Sequence, residues 1–305
     1  MSIILSHKSA LIANLRNRSF SDEPRHCFPL NPKASEKEIE RCRNLFELGK
    51  SMPDILTTQR KQRFYFPDSV QIHYAKNLEG IPSFIRVGDI YVASPELLFV
   101  QVAATVSLTD AILFGYYLCG DYRSADVRKE TGNQPLTSVN KIAAYLEALP
   151  QMKGTRNAAR ALRYVIDNSN SPQESRLTII LILPNHLGGY GLLAPALNQP
   201  IPGTTKIGDL CWLEHGLILE YDSAKNHGEG ARRVADSVRR TKIELQDFRV
   251  VSVEPQQTHS LEYLDELAAL VARHLGQRQR IRTERFAEKQ RALHDDLYGR
   301  SGLPF

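Results

Sequence analysis

The stretch GDLCWLEHGLILEYDS, residues 208–223, decides how the chain is read. Two apolar runs, Leu210–Leu213 and Leu217–Leu219, flank His215-Gly216. Short apolar runs broken by such a pair spell a β-hairpin, with Gly216 free to take a positive φ in a two-residue loop. That loop pairs Glu214 with Leu217, Cys211 with Glu220 and Asp209 with Asp222. Opposed residues share a sheet face, as do residues two apart on one strand. Asp209, Glu220 and Asp222 therefore converge on one patch, Cys211 fills space beneath it, and Trp212 turns to the core on the other face.

Ionised carboxylates among aliphatic side chains are costly unless a positive partner sits with them. Two like charges ~4 Å apart cost roughly 4 kcal/mol at an effective dielectric of 20. A divalent cation removes that repulsion, and an all-oxygen donor set suits Mg²⁺ or Mn²⁺ better than Zn²⁺. The competing reading lets Glu220 and Asp222 end an edge strand in solvent. It leaves unexplained both Asp209 across the hairpin and the local charge. Residues 171–227 hold 3 Lys/Arg against 5 Asp/Glu in a chain of net charge +5. A fourth acid, Glu174 in SPQES, stands three residues after Ser171, where it completes a capping box.

Outward from the hairpin, 305 residues suffice for one large domain or two ordinary ones. A hydrophobic content of 42% and a charged content of 24% are those of a globular protein. No apolar run approaches the roughly 18 residues that span a membrane, and the N-terminus lacks a signal-peptide layout. Four scattered cysteines without a CxxC pair argue against zinc or a disulfide framework and fit the reducing cytoplasm. No GxSxG, HExxH or P-loop competes with the carboxylates, and HLGGYGLL (186–193) is no dinucleotide fingerprint.

The pattern predicts an α/β (α+β) chain with a boundary near residue 150. Residues 1–150 read as a mixed helical domain. It holds a helix within 33–50, short strands at 62–66 and 70–74, and a hairpin at 85–92. A helix capped by Ser94-Pro95 and another at 140–148 follow. Residues 151–305 read as a helix at 156–168, an apolar helix at 171–183 and a Gly/Pro-rich loop. Then come the hairpin, a basic helix at 230–245, a buried strand in FRVVSVEP (248–255) and a long helical stretch from 261 to 298.

Taken in order, Glu174, GDLCW with Asp209, LILEYDS with Glu220 and Asp222, KNH with His227, and ADSVRRTKIEL with Asp236 and Arg240 make a recognisable series. Segment 171–254 resembles the PD-(D/E)XK nuclease superfamily, most closely its very-short-patch-repair-like endonuclease branch. The lysine that names the superfamily is absent; Asp222 stands in its place. The resemblance implies a restriction-endonuclease-like mixed sheet flanked by helices. It implies a Mg²⁺- or Mn²⁺-dependent endonuclease acting on DNA in defence or repair, with Glu174, Asp209, Glu220, Asp222 and His227 as catalytic residues. Asp209, Glu220 and Glu174 would hold the metal, and Lys225, Arg232, Arg239 and Arg240 would contact the nucleic acid. Residues 60–130, with YVASPELLFVQVA, resemble the middle region of antitoxin-type proteins joined to such nucleases. A homodimer, or a protein partner on residues 1–150, is compatible with this. The alternative is a non-catalytic nuclease-fold protein that binds DNA or regulates a partner as an antitoxin does.

Overall fold

In a computed structural model of the chain, residues 3–221, 248–279 and 285–299 are described, apart from 24, 28–32, 77 and 79. They form a mixed α/β structure in two compact units that divide between Val165 and Ile166.

The first unit runs β1 (Ile3–Leu5), α1 (His7–Arg16), α2 (Glu36–Phe46), β2 (Asp54–Thr57), β3 (Gln71–Tyr74), β4 (Phe84–Val87) and β5 (Ile90–Ala93). Helices α3 (Pro95–Ala103), α4 (Leu108–Cys119), α5 (Ala125–Thr131), α6 (Val139–Ala148) and α7 (Thr155–Leu162) follow. Its five-stranded sheet has the order β3-β2-β1-β5-β4. β1 lies parallel to β5 and antiparallel to β2, β3 lies parallel to β2, and β4 forms the expected hairpin with β5. Ile4, Leu5, Ile55, Phe84 and Val92 are buried in its core. Burial of each such side chain contributes about 1.5–3 kcal/mol.

Local chemistry sets the helix starts. Ser94 Oγ accepts the Leu97 N–H at 3.3 Å and Pro95 opens α3, where its missing N–H costs nothing. Two expectations change. Residues 62–65 lie in a 3-10 turn, Arg60–Tyr65, which Phe66 ends, rather than a strand. Gln62 Oε1 accepts the N–H groups of Thr58 and Gln59 and closes that turn. The unit also extends beyond 150, because α7 packs on α3, α4 and α6. Asn157 Nδ2 fastens it by donating to the Ala103 carbonyl at 2.9 Å.

The second unit runs α8 (Pro172–Ile182), β6 (Ala196–Pro200), β7 (Ile207–Trp212), β8 (Leu217–Tyr221), β9 (Arg249–Val253), α9 (Leu261–His274) and α10 (Phe286–Tyr298). Its sheet order is β6-β7-β8-β9, with the first three strands antiparallel and β9 parallel to β8. β6 lies within the stretch expected as loop. It is an edge strand, where Pro200 is tolerated at the end. The expected single helix from 261 to 298 is two: the Gly276 and Gln277 N–H groups return to Arg273 and Ala272 and stop α9. The expected basic helix at 230–245 lies outside the described residues.

Candidate functional site

The hairpin turns differently from its expected form. A 3-10 turn, Leu213–His215, ends on Gly216 at φ 64, so four loop residues, Leu213 to Gly216, replace two. Trp212 pairs with Leu217, Cys211 with Ile218 and Leu210 with Leu219. The register is therefore shifted by two residues from the expected one. A shift of two preserves side-chain parity, whereas a shift of one would have moved every carboxylate to the other face. Continued one step outward, it sets Asp209 opposite Glu220, not Asp222, while Cys211 faces Ile218, not Glu220.

The same position recurs across the whole sheet. Leu197 pairs with Leu210 and Gln199 with Gly208, so Asn198 stands level with Asp209. Glu220 pairs with Ser252 on the parallel strand. Asn198, Asp209, Glu220 and Ser252 thus form one transverse row over β6, β7, β8 and β9.

Hydrogen bonds tie the row together. Asp209 Oδ2 accepts the backbone N–H of Tyr221 at 2.7 Å, which anchors its carboxylate at the end of β8 beside Glu220. Burial pushes the Cys211 thiol up to about 11, with the charges of Asp209 and Glu220 adding to the rise. Both carboxylates therefore act on one point of the sheet. Gly208 is needed beside them, since a Cβ there would meet Cys211 Sγ at 2.7 Å and Ile218 Cγ2 at 2.8 Å.

Glu174 joins from the first turn of α8. Ser171 Oγ accepts the Glu174 N–H at 3.1 Å, so the helix cap forms as expected. The Glu174 carboxylate goes elsewhere: Oε2 accepts the Asn170 N–H at 3.0 Å and Asn198 Nδ2 at 2.7 Å. Asn198 also donates to the Asn168 carbonyl at 2.8 Å. Both asparagines hold left-handed backbones, φ 70 at Asn168 and φ 51 at Asn198, a region Asn tolerates better than most residues. Asn198 was not singled out from the sequence. Its only signal there is an asparagine inside ALNQP, a pattern that reads as loop. Two residues after Glu174, Arg176 directs positive charge at Tyr221, whose phenol is nevertheless pushed up by burial.

Asp209 and Glu220 thus share one row of the sheet, and Glu174 is hydrogen-bonded to Asn198 on that row. Among the described residues, however, no three His, Cys, Asp or Glu side chains are grouped so as to hold a metal. Asp222, Lys225, His227, Arg232, Asp236, Arg239 and Arg240 lie outside the described residues. Tyr190, in the loop after α8, donates to Asp265 at 2.8 Å and accepts from Gln290. Trp212 is buried as expected, its Nε1 donating to the Leu193 carbonyl.

An all-oxygen pair fits a hard cation that keeps several waters, since Mg²⁺ is commonly bound through one or two carboxylates. Compared with protein-family models, with curated proteins and with solved structures, the chain matches none.

Proposed function

We propose that the chain is a metal-dependent endonuclease that hydrolyses DNA phosphodiester bonds on a restriction-endonuclease-like sheet. The observation that carries this reading is the pairing of Asp209 with Glu220 by register, with Glu174 tied to the same row through Asn198. The element order supports it: one helix, three antiparallel strands, and a fourth strand parallel to the third. A mixed sheet with helices is what the resemblance implies.

Asp209 and Glu220 would hold Mg²⁺ or Mn²⁺, with Glu174 placing a water or a further ion. When bound, such an ion lowers the pKa of a water and offsets charge on the phosphorane-like transition state. The chain's own part is positioning. The Tyr221 N–H fixes one oxygen of Asp209, so the carboxylate enters the reaction already oriented. Asp222 or His227 would take the proton of the attacking water. The water oxygen bonds phosphorus, the bond to the leaving oxygen breaks, that oxygen takes a proton from solvent, and a phosphate end and a hydroxyl end result. Lys225, Arg232, Arg239 and Arg240 would follow the DNA backbone. Four free cysteines accord with action in a reducing cytoplasm. Among the described residues no helix is long and apolar enough to cross a membrane.

One observation favours a second reading. The superfamily lysine is replaced by Asp222, and a nuclease fold without it can serve as a DNA-binding or antitoxin-like module. Plasmid incubated with Mg²⁺ or Mn²⁺ separates the two. Cleavage by the native chain that disappears in Asp209→Asn and Glu220→Gln supports the enzyme. Binding without cleavage in either metal supports the module.

A further inference from the structure

We infer that the first unit carries a binding surface for single-stranded DNA, formed by the Arg60–Tyr65 turn and strand β3. The turn and the strand line an open groove of about 980 Å³, with Arg60, Arg63, Phe64 and Tyr74 among its walls. β3 is the edge of its sheet. The exposed large apolar side chains of the described residues include three aromatics, Phe64 at 87%, Tyr65 at 60% and Tyr74 at 40%. All three lie here, and Met52, also exposed, lines the same groove. An exposed apolar patch rimmed by charge marks an interaction site rather than ordinary surface.

The charge selects the occupant. Residues 60–76 carry four Lys/Arg against one Asp/Glu. The cations flank the rings: Arg60, Lys61 and Arg63 are exposed beside Phe64 and Tyr65, and Lys76 Nζ stands 6.0 Å from the Tyr74 ring centre. Basic side chains follow phosphates while aromatic faces stack on bases, a combination that takes unpaired strands whatever their sequence. A duplex hides its base faces within its own stack, so it would use the cations and leave the rings idle. An acidic peptide would likewise leave several rings without stacking partners. The choice of DNA over RNA rests on the hydrolysis proposed above; the stacking surface itself does not.

The test is fluorescence anisotropy of the full chain with labelled oligothymidylate, with the same length of duplex DNA and with oligouridylate, all in EDTA so that no hydrolysis intervenes. The expected result is binding of the single strand roughly ten-fold or more tighter than the duplex. Phe64→Ala and Tyr74→Ala should each weaken it roughly ten-fold, by loss of one stacked base. Arg60→Ala with Arg63→Ala should weaken it and flatten its salt dependence. Both aromatics are exposed, so thermal unfolding should be unchanged in the variants. Equal affinity for duplex, native-like binding by both aromatic variants, or no binding at all overturns the inference. Tighter binding of oligouridylate overturns the assignment to DNA. Self-association that Phe64→Ala abolishes, seen by sedimentation without strand binding, assigns the patch to a second copy and also overturns it. A chain that binds strands but cuts nothing leaves this surface standing while the hydrolysis reading falls.

Discussion

Asp209 reaches across its hairpin to the backbone of Tyr221, whose N–H it accepts at 2.7 Å. The bond joins the middle of β7 to the end of β8 and brings the Asp209 carboxylate beside Glu220. It separates the two things Asp209 does, since holding the strand end needs an acceptor and holding a cation needs charge.

Asp209→Asn keeps an oxygen for the Tyr221 N–H and removes the charge. Its unfolding midpoint should stay near that of the native chain while DNA cleavage falls by at least about 100-fold, the scale of losing one electrostatic stabiliser of a transition state. Asp209→Ala should also destabilise, by roughly 1.5–3 kcal/mol for a lost hydrogen bond to a charged group. Urea unfolding of both variants, set beside plasmid cleavage, checks the separation.

Glu174 and Asn198 should behave as one unit. Each alanine variant removes the 2.7 Å bond between them and leaves the other partner's remaining bonds in place. Each should cost about 1.5–3 kcal/mol, and the double variant less than their sum, with a coupling of about 1 kcal/mol. Additive losses in a double-mutant cycle would mean that the contact holds nothing together.

Gly208→Ala should cost about 1–3 kcal/mol by overpacking, since its Cβ would meet Cys211 Sγ at 2.7 Å. Adding Cys211→Ala removes that sulfur and should recover part of the loss. Paired thermal melts of the single and double variants measure it.

The first unit should lose stability in mild acid. His7 is lowered to about 4, first by burial and next by His73, with Asp54 opposing. Its ring stacks on His73 with centroids 3.6 Å apart, and His73 Nε2 lies 2.7 Å from Asp54 Oδ1. A histidine whose folded value lies below its unfolded 6.5 contributes stability that is whole above 6.5. That stability is lost as pH falls from there towards 4. The loss should be on the order of 2–3 kcal/mol. His7 has φ 45, which Asn tolerates, so His7→Asn should flatten denaturation midpoints over that window without breaking the turn.

Much of the acidic row was legible because parity is robust. Gly216 marked a turn whether the loop held two residues or four, and a two-residue slip left Glu220 and Asp209 on one patch. The turn type itself was not legible, because Gly at positive φ ends a 3-10 turn as readily as it completes a two-residue loop. β6 was hidden because ALNQP spends its residues on a left-handed Asn198 and a terminal Pro200, both read locally as loop. Asn198 acts through contacts 24 and 30 residues away, at Glu174 and Asn168, which no local pattern reports. The strand expected at 62–66 failed for the opposite reason. Its alternation was real, but the Gln62 side chain satisfied the backbone of Thr58 and Gln59 and made a tighter turn available. β1 escaped notice because three residues, Ile3–Leu5, are too few to show a period.

The proposed hydrolysis requires Asp209 and Glu220 to coordinate one divalent cation together. Electron paramagnetic resonance of Mn²⁺ titrated into the full chain tests it most directly. One Mn²⁺ bound per chain, displaced by Mg²⁺ and lost in both Asp209→Asn and Glu220→Gln, is the predicted result. No uptake by the native chain, or equal uptake by the two variants, would contradict it.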